Sequence, residues 1–258
     1  MKKSSGRYLP PLIFLVIILV LWEGCVVLFR IEQFLLPKPT AILITFAEIF
    51  PTIRDAGLFT FREAIGGFFI GCGLGILVAL MTARWTIASQ AMMPFAIAAN
   101  SVPIIAFAPI MNNWFGIDNP FSKMSIVAVM VFFPMMINTV RGLTLVDANQ
   151  LELMRSYAAT PFEILWNLRI PNALPYMFSA FKVAGALSMI GAVVGEYFGG
   201  PRISLGVFIT QEAALFRFSS AWAAIIIACF LGIGIYTVIL LAERLAMPWH
   251  VSFRQTER

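Results

Sequence analysis

Residues 147–175 read Asp147-Ala-Asn-Gln-Leu-Glu-Leu-Met-Arg-Ser-Tyr-Ala-Ala-Thr-Pro-Phe-Glu-Ile-Leu-Trp-Asn-Leu-Arg-Ile-Pro-Asn-Ala-Leu-Pro175. Two helix starts are written into this stretch. Asp147 followed by Gln150 fits a capping box, in which each side chain satisfies an orphan N–H at the helix end. Thr160-Pro161-Phe162-Glu163 fits better: threonine at the N-cap, proline at the first helical position, glutamate at the third. Between the two starts, Ala158-Ala159 is small enough for a sharp corner. Pro171 is expected to stop the second helix, because proline donates nothing to the ladder. The result is a compact helix pair with Leu151, Met154, Phe162, Leu165 and Trp166 as apolar contacts. An apolar, well-capped corner has something to pack on, either this chain's own helices or a separate partner.

Outward from this stretch the sequence turns apolar on both sides. Of the 258 residues, 60% are hydrophobic and 12% charged, with a mean hydropathy of +0.88. A soluble domain carries about a quarter charged residues, so the excess apolar surface must face lipid. A span needs roughly 20 mostly apolar residues to cross about 30 Å of hydrocarbon. Six segments qualify, near 9–29, 58–83, 92–114, 122–140, 176–197 and 221–245. The expected fold is therefore all-α: one polytopic transmembrane domain over 1–258, with the loop 141–175 between its fourth and fifth spans. Lys2, Lys3 and Arg7 ahead of Leu9–Phe29 resemble a secretion signal, but that run is about twice a signal's apolar core and no cleavage site follows. It reads as a retained first span. In the connection 30–57, Ile42, Leu43, Phe46 and Ile49 fall on one side of a short amphipathic helix over 39–50.

The net charge of +5 does not indicate nucleic acid, since the cations flank apolar runs and form no patch with interleaved aromatics. With the N-terminus inside, 11 of the 18 Lys and Arg residues fall on the cytoplasmic side, and the 141–175 loop with them. Both termini and the short loop at Arg84 are then cytoplasmic. Cys25, Cys72 and Cys229 sit far apart in apolar runs, which implies neither a disulfide framework nor a metal site. The lone His250 carries no assignment.

Small residues recur where helices should meet. Gly67, Gly71 and Gly75 stripe the second span; Ala180, Ala184, Ser188 and Ala192 stripe the fifth, allowing close backbone approach in lipid. In the third span, Asn100, Ser101 and Pro103 place polar groups beside proline, a pattern tolerated where backbone is buried or lines a cavity. These three are candidates for the substrate path. Glu196 ends the fifth span as an interfacial residue, a gate pairing with a cation such as Arg202, or a path residue. Lys182 lies near enough to the cytoplasm to snorkel. Elsewhere the spans look almost free of buried charge, which argues against an ion- or proton-coupled carrier. A non-transporting scaffold leaves the capped loop unexplained. No Gly-x4-Gly-Lys-Ser/Thr phosphate loop occurs, so energy must come from a partner, and no nucleophile–base pair suggests covalent chemistry.

Glu152, Ala158, the pair Ile170-Pro171 and Pro175 resemble the loop of ABC importer permeases, patterned Glu-Ala-Ala, three residues, Gly, then an aliphatic–Pro pair. Leu153-Met154 stand in place of the two alanines and Ala158 in place of the glycine. The likeness extends over nearly the whole chain. Leu35-Leu36-Pro37-Lys38-Pro39 is similar to a Leu-Pro-Ser-Pro segment of nitrate/sulfonate/taurine-type permeases. Phe61-Arg62 with Gly66-Gly67-Phe68, Pro103–Pro109, Trp114–Ile117, Ser122-Lys123 and Glu196…Gly206 match further segments of that group.

The resemblance implies a type I ABC importer permease fold in a bacterial cytoplasmic (inner) membrane. It implies that Leu151, Glu152, Met154, Ala158, Phe162 and Pro171 belong to coupling helices seated on an ATPase. The partners it implies are two ATP-binding-cassette subunits, an extracytoplasmic solute-binding protein and a second copy of this chain. No cofactor is expected on this chain, ATP-Mg being held by the ATPase. Leu153–Ala159 and Glu196–Pro201 look closer to permeases for pyrimidine-type vitamin precursors or riboflavin than to those for sulfonates or nitrate, which remain the alternative.

Overall fold

Long apolar runs leave the backbone few ways to satisfy its N–H and C=O groups in lipid, and helix is the simplest. The computed structural model describes residues 5–83 and 86–248, and among these helix is the only regular structure. In chain order the helices are α1 (Ser5–Leu28), α2 (Pro39–Glu48), α3 (Phe50–Ala83), α4 (Thr86–Asn100), α5 (Ala108–Phe115), α6 (Pro120–Thr144), α7 (Ala148–Ser156), α8 (Pro161–Ile164), α9 (Ile170–Tyr197), α10 (Leu205–Ala214) and α11 (Phe218–Ala246). Helices α1, α3, α6, α9 and α11 are long and apolar enough to cross a membrane. The expected third span is broken instead: α4 ends at Asn100, a 3₁₀ turn covers Ile104–Phe107, and the segments 91–100 and 104–115 meet at 77°. Pro103, which has no N–H to donate, sits at the break. Counted as one bent span, the pair brings the total to six.

Several boundaries move. Helix α3 begins at Phe50 instead of 58, and α9 at Ile170 instead of 176. At about 1.5 Å per residue, the 34 residues of α3 reach roughly 50 Å, well beyond the hydrocarbon. The amphipathic helix expected over 39–50 forms as α2, with Ile42 buried and Phe46 and Ile49 against the main core, while Leu43 faces outward. Helix α10, between the fifth and sixth spans, had no counterpart in the sequence reading. Lys2, Lys3, Arg84, His250, Arg254 and Arg258 lie outside the described residues.

The core is built where α3, α6 and α9 press together. A Cβ placed at Gly67 would stand 2.5 Å from Val127 Cβ, at Gly71 2.3 Å from the Ala128 carbonyl oxygen, and at Gly75 2.9 Å from that of Phe132. The stripe thus lets the backbone of α3 lie against α6 within one subunit. Gly73, off the stripe, has nothing within 4 Å of its Cβ position. The small residues of α9 answer from the other side: Ala180, Ala184, Ser188 and Ala192 are all buried. Helix α1 lies outside this core with most of its apolar side chains exposed. It is tethered by Trp22 against Trp222 of α11, ring centroids 5.2 Å apart, and by Thr40 donating to Glu23 through N–H and Oγ1.

Lys182, expected near enough to the cytoplasm to snorkel, also has a partner on the neighbouring helix: its Nζ donates to both oxygens of Glu243 on α11, at 3.1 and 2.9 Å.

Candidate functional site

The corner 147–164 is organised by its caps. Asp147 Oδ1 accepts from the N–H groups of Asn149 and Gln150 at 2.7 and 3.4 Å, so α7 is capped from one side only. At Thr160 the full box forms: Glu163 N–H donates to Thr160 Oγ1 at 3.3 Å, and Thr160 N–H donates to Glu163 Oε2 at 2.7 Å. Between them α7 ends in a Schellman turn. Ala158 N–H donates to the Arg155 carbonyl at 2.9 Å, and Ala159 N–H to that of Met154 at 3.1 Å. That turn requires a left-handed residue, and Ala158 takes it with φ +55°. Glycine, the residue that the resemblance gives at this position, takes that conformation without strain, whereas for alanine it costs about 1 kcal/mol. Ala158→Gly is expected to keep the fold, with stability equal or up to about 1 kcal/mol higher, because glycine's greater freedom when unfolded offsets part of the relief. Ala158→Val crowds the same backbone and is expected to lower it by more than about 1 kcal/mol. Thermal unfolding of the purified subunit measures both.

Pro171 does not stop a helix. The chain runs from α8 through a single π turn, Leu165–Arg169, into α9, and Pro171 lies in the first turn of α9. The π turn inserts an extra residue and re-registers the carbonyls, so proline falls where a helix tolerates a missing N–H. The corner and the fifth span therefore form one connected rod from Pro161 to Tyr197. Its root is fixed: Asn172 Nδ2 donates to the carbonyls of Gly142 and Leu145 at 2.8 and 3.0 Å, closing the end of α6. A Cβ at Gly142 would meet Ala173 Cα at 2.6 Å, so the two helices touch backbone to backbone there.

The apolar residues divide by face. Leu165 turns inward against Leu143 and Ala173. Leu151 and Met154 are half-buried. Leu153, Tyr157, Phe162 and Trp166 stand outside, Tyr157 at 77% and Phe162 at 68% exposure, with the Phe162 and Trp166 rings 6.0 Å apart. Glu152 is exposed on the same short helix. Sequence spacing brought out Phe162 and Trp166 and missed Leu153 and Tyr157, which a helical wheel of nine residues does not single out.

Asn100, Ser101 and Pro103 meet at the break in the third span, all exposed, with Ser101 Oγ donating to the Ile97 carbonyl at 3.2 Å. The structure does not bring them to Glu196. That carboxylate is fully buried at the end of α9, accepting from Thr60 Oγ1 at 2.7 Å and from the Gly206 N–H at 2.6 Å. Arg202 is exposed and forms none of the ion pairs among the described residues. The buried cation at this end is Lys123 of α6, whose side chain passes 3.6 Å from a Cβ placed at Gly195, beside Glu196, while forming none of the ion pairs among the described residues. Its Nζ donates to Asn112 Oδ1 at 3.2 Å and to the Ile117 carbonyl, and Ser122 Oγ donates to the same Asn112 oxygen. Glu63 of α3, 1% exposed, stands one helical turn from Thr60, the residue that donates to Glu196.

The spans are thus not free of buried charge. From sequence, Glu63 carries no role, although it falls inside the expected span 58–83, and Lys123 carries none beyond its place beside Ser122; an ionisable residue inside a span is itself a signal of function. Because α6 starts and α9 finishes here, whereas α6 ends and α9 begins at the corner, this polar cluster and the corner at 147–164 occupy opposite ends of the bundle.

The profile of the family described as binding-protein-dependent transport system inner membrane component matches residues 71–246. The formylaminopyrimidine transport permease protein of Halalkalibacterium halodurans is 29% identical over 248 residues, covering 96% of this chain and 98% of its own. The riboflavin transport system permease protein of Chloroflexus aurantiacus is 29% identical over 240 residues, 92% of this chain and 89% of its own. A putative aliphatic sulfonates transport permease protein of Bacillus subtilis is 27% identical over 262 residues, 98% and 93%. The crystal structure of an amino acid ABC transporter with histidines superposes with a TM-score of 0.61 over 78% of this chain and 97% of that one, at 16% identity, which is a likeness of fold. With that profile matched over more than half of its length, the chain belongs to the binding-protein-dependent inner membrane component family as a permease subunit of an ABC importer.

Proposed function

We propose that the 147–164 corner is the surface gripped by a separate ATP-binding-cassette ATPase, and that this grip drives transport. One observation carries the reading: a doubly capped helical corner leaves Leu153, Tyr157, Phe162 and Trp166 uncovered while joining without a break to a spanning helix. Exposed aromatics on a rigid element are the side chains that dominate binding energy at protein interfaces. Glu152 supplies a charge to fix register, with Leu151, Met154 and Ala158 shaping the turn and Pro171 the root of the rod. ATP-Mg is held and hydrolysed by the ATPase. Closure of two ATPases pulls on two such rods, one from each copy of this chain, and reorients the spans. A second copy completes the pathway, since one subunit supplies half of it. The corner then lies in the cytoplasm, in line with the modest bias of cations to that side and with both termini inside.

Asn100, Ser101 and Pro103 line the path for solute delivered by an extracytoplasmic binding protein, their exposure at the broken span favouring that role. Glu196 belongs to the mouth's closed packing. The solute is a pyrimidine-type vitamin precursor or a riboflavin-like heterocycle, a reading supported by the two relatives at 29% identity. A sulfonate is supported as well by the relative at 27%. Proteoliposomes holding this chain with its ATPase and binding protein test both. ATP-dependent uptake of formylaminopyrimidine or riboflavin, and not of an alkylsulfonate, is the expected result; the reverse selectivity replaces the substrate reading. Uptake without any ATPase removes the importer mechanism.

A further inference from the structure

At the bundle end remote from the corner, three buried ionisable groups lie together with an unequal count of charges. Glu63 and Glu196 are 1% and 0% exposed and Lys123 is 0% exposed. If both acids were ionised, two negative charges would face one positive charge in a medium that screens them poorly. The hydrogen bonds set the two acids apart. Glu196 accepts from Thr60 Oγ1 and from the Gly206 N–H, the latter in the first turn of α10, where the helix favours an anion. Thr60 Oγ1 in turn accepts from the Leu205 N–H at 3.0 Å, so that turn of α10 is held through both contacts. Glu63 shows the opposite pattern. Neither of its buried oxygens meets a hydrogen-bond donor among the described residues, although it stands three residues along α3 from Thr60, whose Oγ1 is bonded to Glu196. An ionised carboxyl offers only acceptors, so two ionised groups repel where a single proton would bond them.

We propose that Glu63 and Glu196 are a proton-binding site, in which the Glu63 carboxylic acid donates its O–H to the Glu196 carboxylate. The proton comes from water as the helices pack, and no other bond is made or broken. One acid, one carboxylate and the Lys123 ammonium then sum to zero. The remaining groups around the site are neutral: Thr60, Asn112, Ser122, Ser204 and the N–H groups of Leu205 and Gly206. Asp118, the acid in the turn before α6, is exposed and takes part in none of the ion pairs among the described residues. The neutral unit ties α3, α6, α9 and α10 together with a proton as its ligand.

Infrared spectroscopy reads this directly on the purified full-length chain in detergent near neutral pH, with glutamate labelled by ¹³C at the side-chain carboxyl. The wild type is expected to show a carboxylic-acid carbonyl band that moves with the label and exchanges slowly into deuterated water. Glu63→Gln, which keeps a donor toward Glu196, loses the band, while Glu48→Gln on the exposed face of α2 retains it. Lys123→Met removes the balancing cation and is expected to raise the band about twofold, as the second acid takes a proton to restore neutrality. A wild-type spectrum with carboxylate bands only overturns the proposal, as does a band of full strength in Glu63→Gln. Should that variant fail to fold, the labelled wild-type spectrum still decides, because the other buried glutamate among the described residues, Glu243, is ion-paired with Lys182.

Discussion

Gly71→Ala is expected to destabilise the subunit by about 1–3 kcal/mol, the range for overpacking a close-packed interior, while Gly73→Ala changes stability by less than about 0.5 kcal/mol. The two glycines are neighbours on α3 and chemically identical, so propensity and hydrophobicity cancel in the comparison. What differs is the space each faces. The new methyl at 71 would stand 2.3 Å from a backbone oxygen of α6 and 2.5 Å from Val131 Cγ2. A carbonyl in a helix cannot rotate aside as a side chain can, so the helices must part, and dispersion contacts along the whole stripe weaken together. At 73 the methyl enters open space. Thermal or denaturant unfolding of both variants in the same detergent makes the comparison. Equal losses at the two positions would mean that α3 and α6 are not in the contact described.

The second large effect concerns transport and leaves the fold alone. Tyr157 and Phe162 are exposed and contribute little to packing within the chain, so replacing both by serine is expected to leave the unfolding temperature of the isolated subunit close to wild type. Each aromatic acting as an interface anchor is worth about 2 kcal/mol. Losing both should then weaken the ATPase complex by 100-fold or more, at about 1.4 kcal/mol per factor of ten. ATP-driven uptake falls in step. The binding constant of the purified ATPase for wild-type and doubly substituted subunit measures it, and an unchanged constant would show that these aromatics face lipid or another part of the assembly.

The outline of this fold is legible in the sequence because lipid leaves so few alternatives. Five apolar runs became single helices, and the polar break around Asn100 and Pro103 marked the one that did not. Their ends were harder to read. Hydropathy reports where hydrocarbon ends, whereas α3 continues as helix through Arg54 and Asp55, whose side chains pair with each other in the open. The caps at Asp147 and Thr160 were readable because capping is local chemistry between residues three apart. Pro171 was misjudged because a proline can open a helix as well as close one, and only the π turn before it decides. The buried charges were missed for a related reason: Lys123 lies close to the end of an apolar run, and sequence alone does not tell a side chain that reaches water from one that Asn112 and Ile117 hold inside. Ala158 shows the converse. Its departure from the glycine of related loops marked a position whose geometry, a left-handed turn residue, became evident only from the backbone.

Site-directed cross-linking decides whether an ATPase grips the 147–164 corner. Cys25, Cys72 and Cys229 would first be replaced, since the first and last are exposed, and a single cysteine introduced by Phe162→Cys. With a cysteine in the cognate ATPase, a cross-link between the two chains is expected, with a yield that changes when ATP is added. No cross-link in the assembled transporter, together with labelling of the same cysteine by a membrane-impermeant reagent from the extracytoplasmic side, would contradict it.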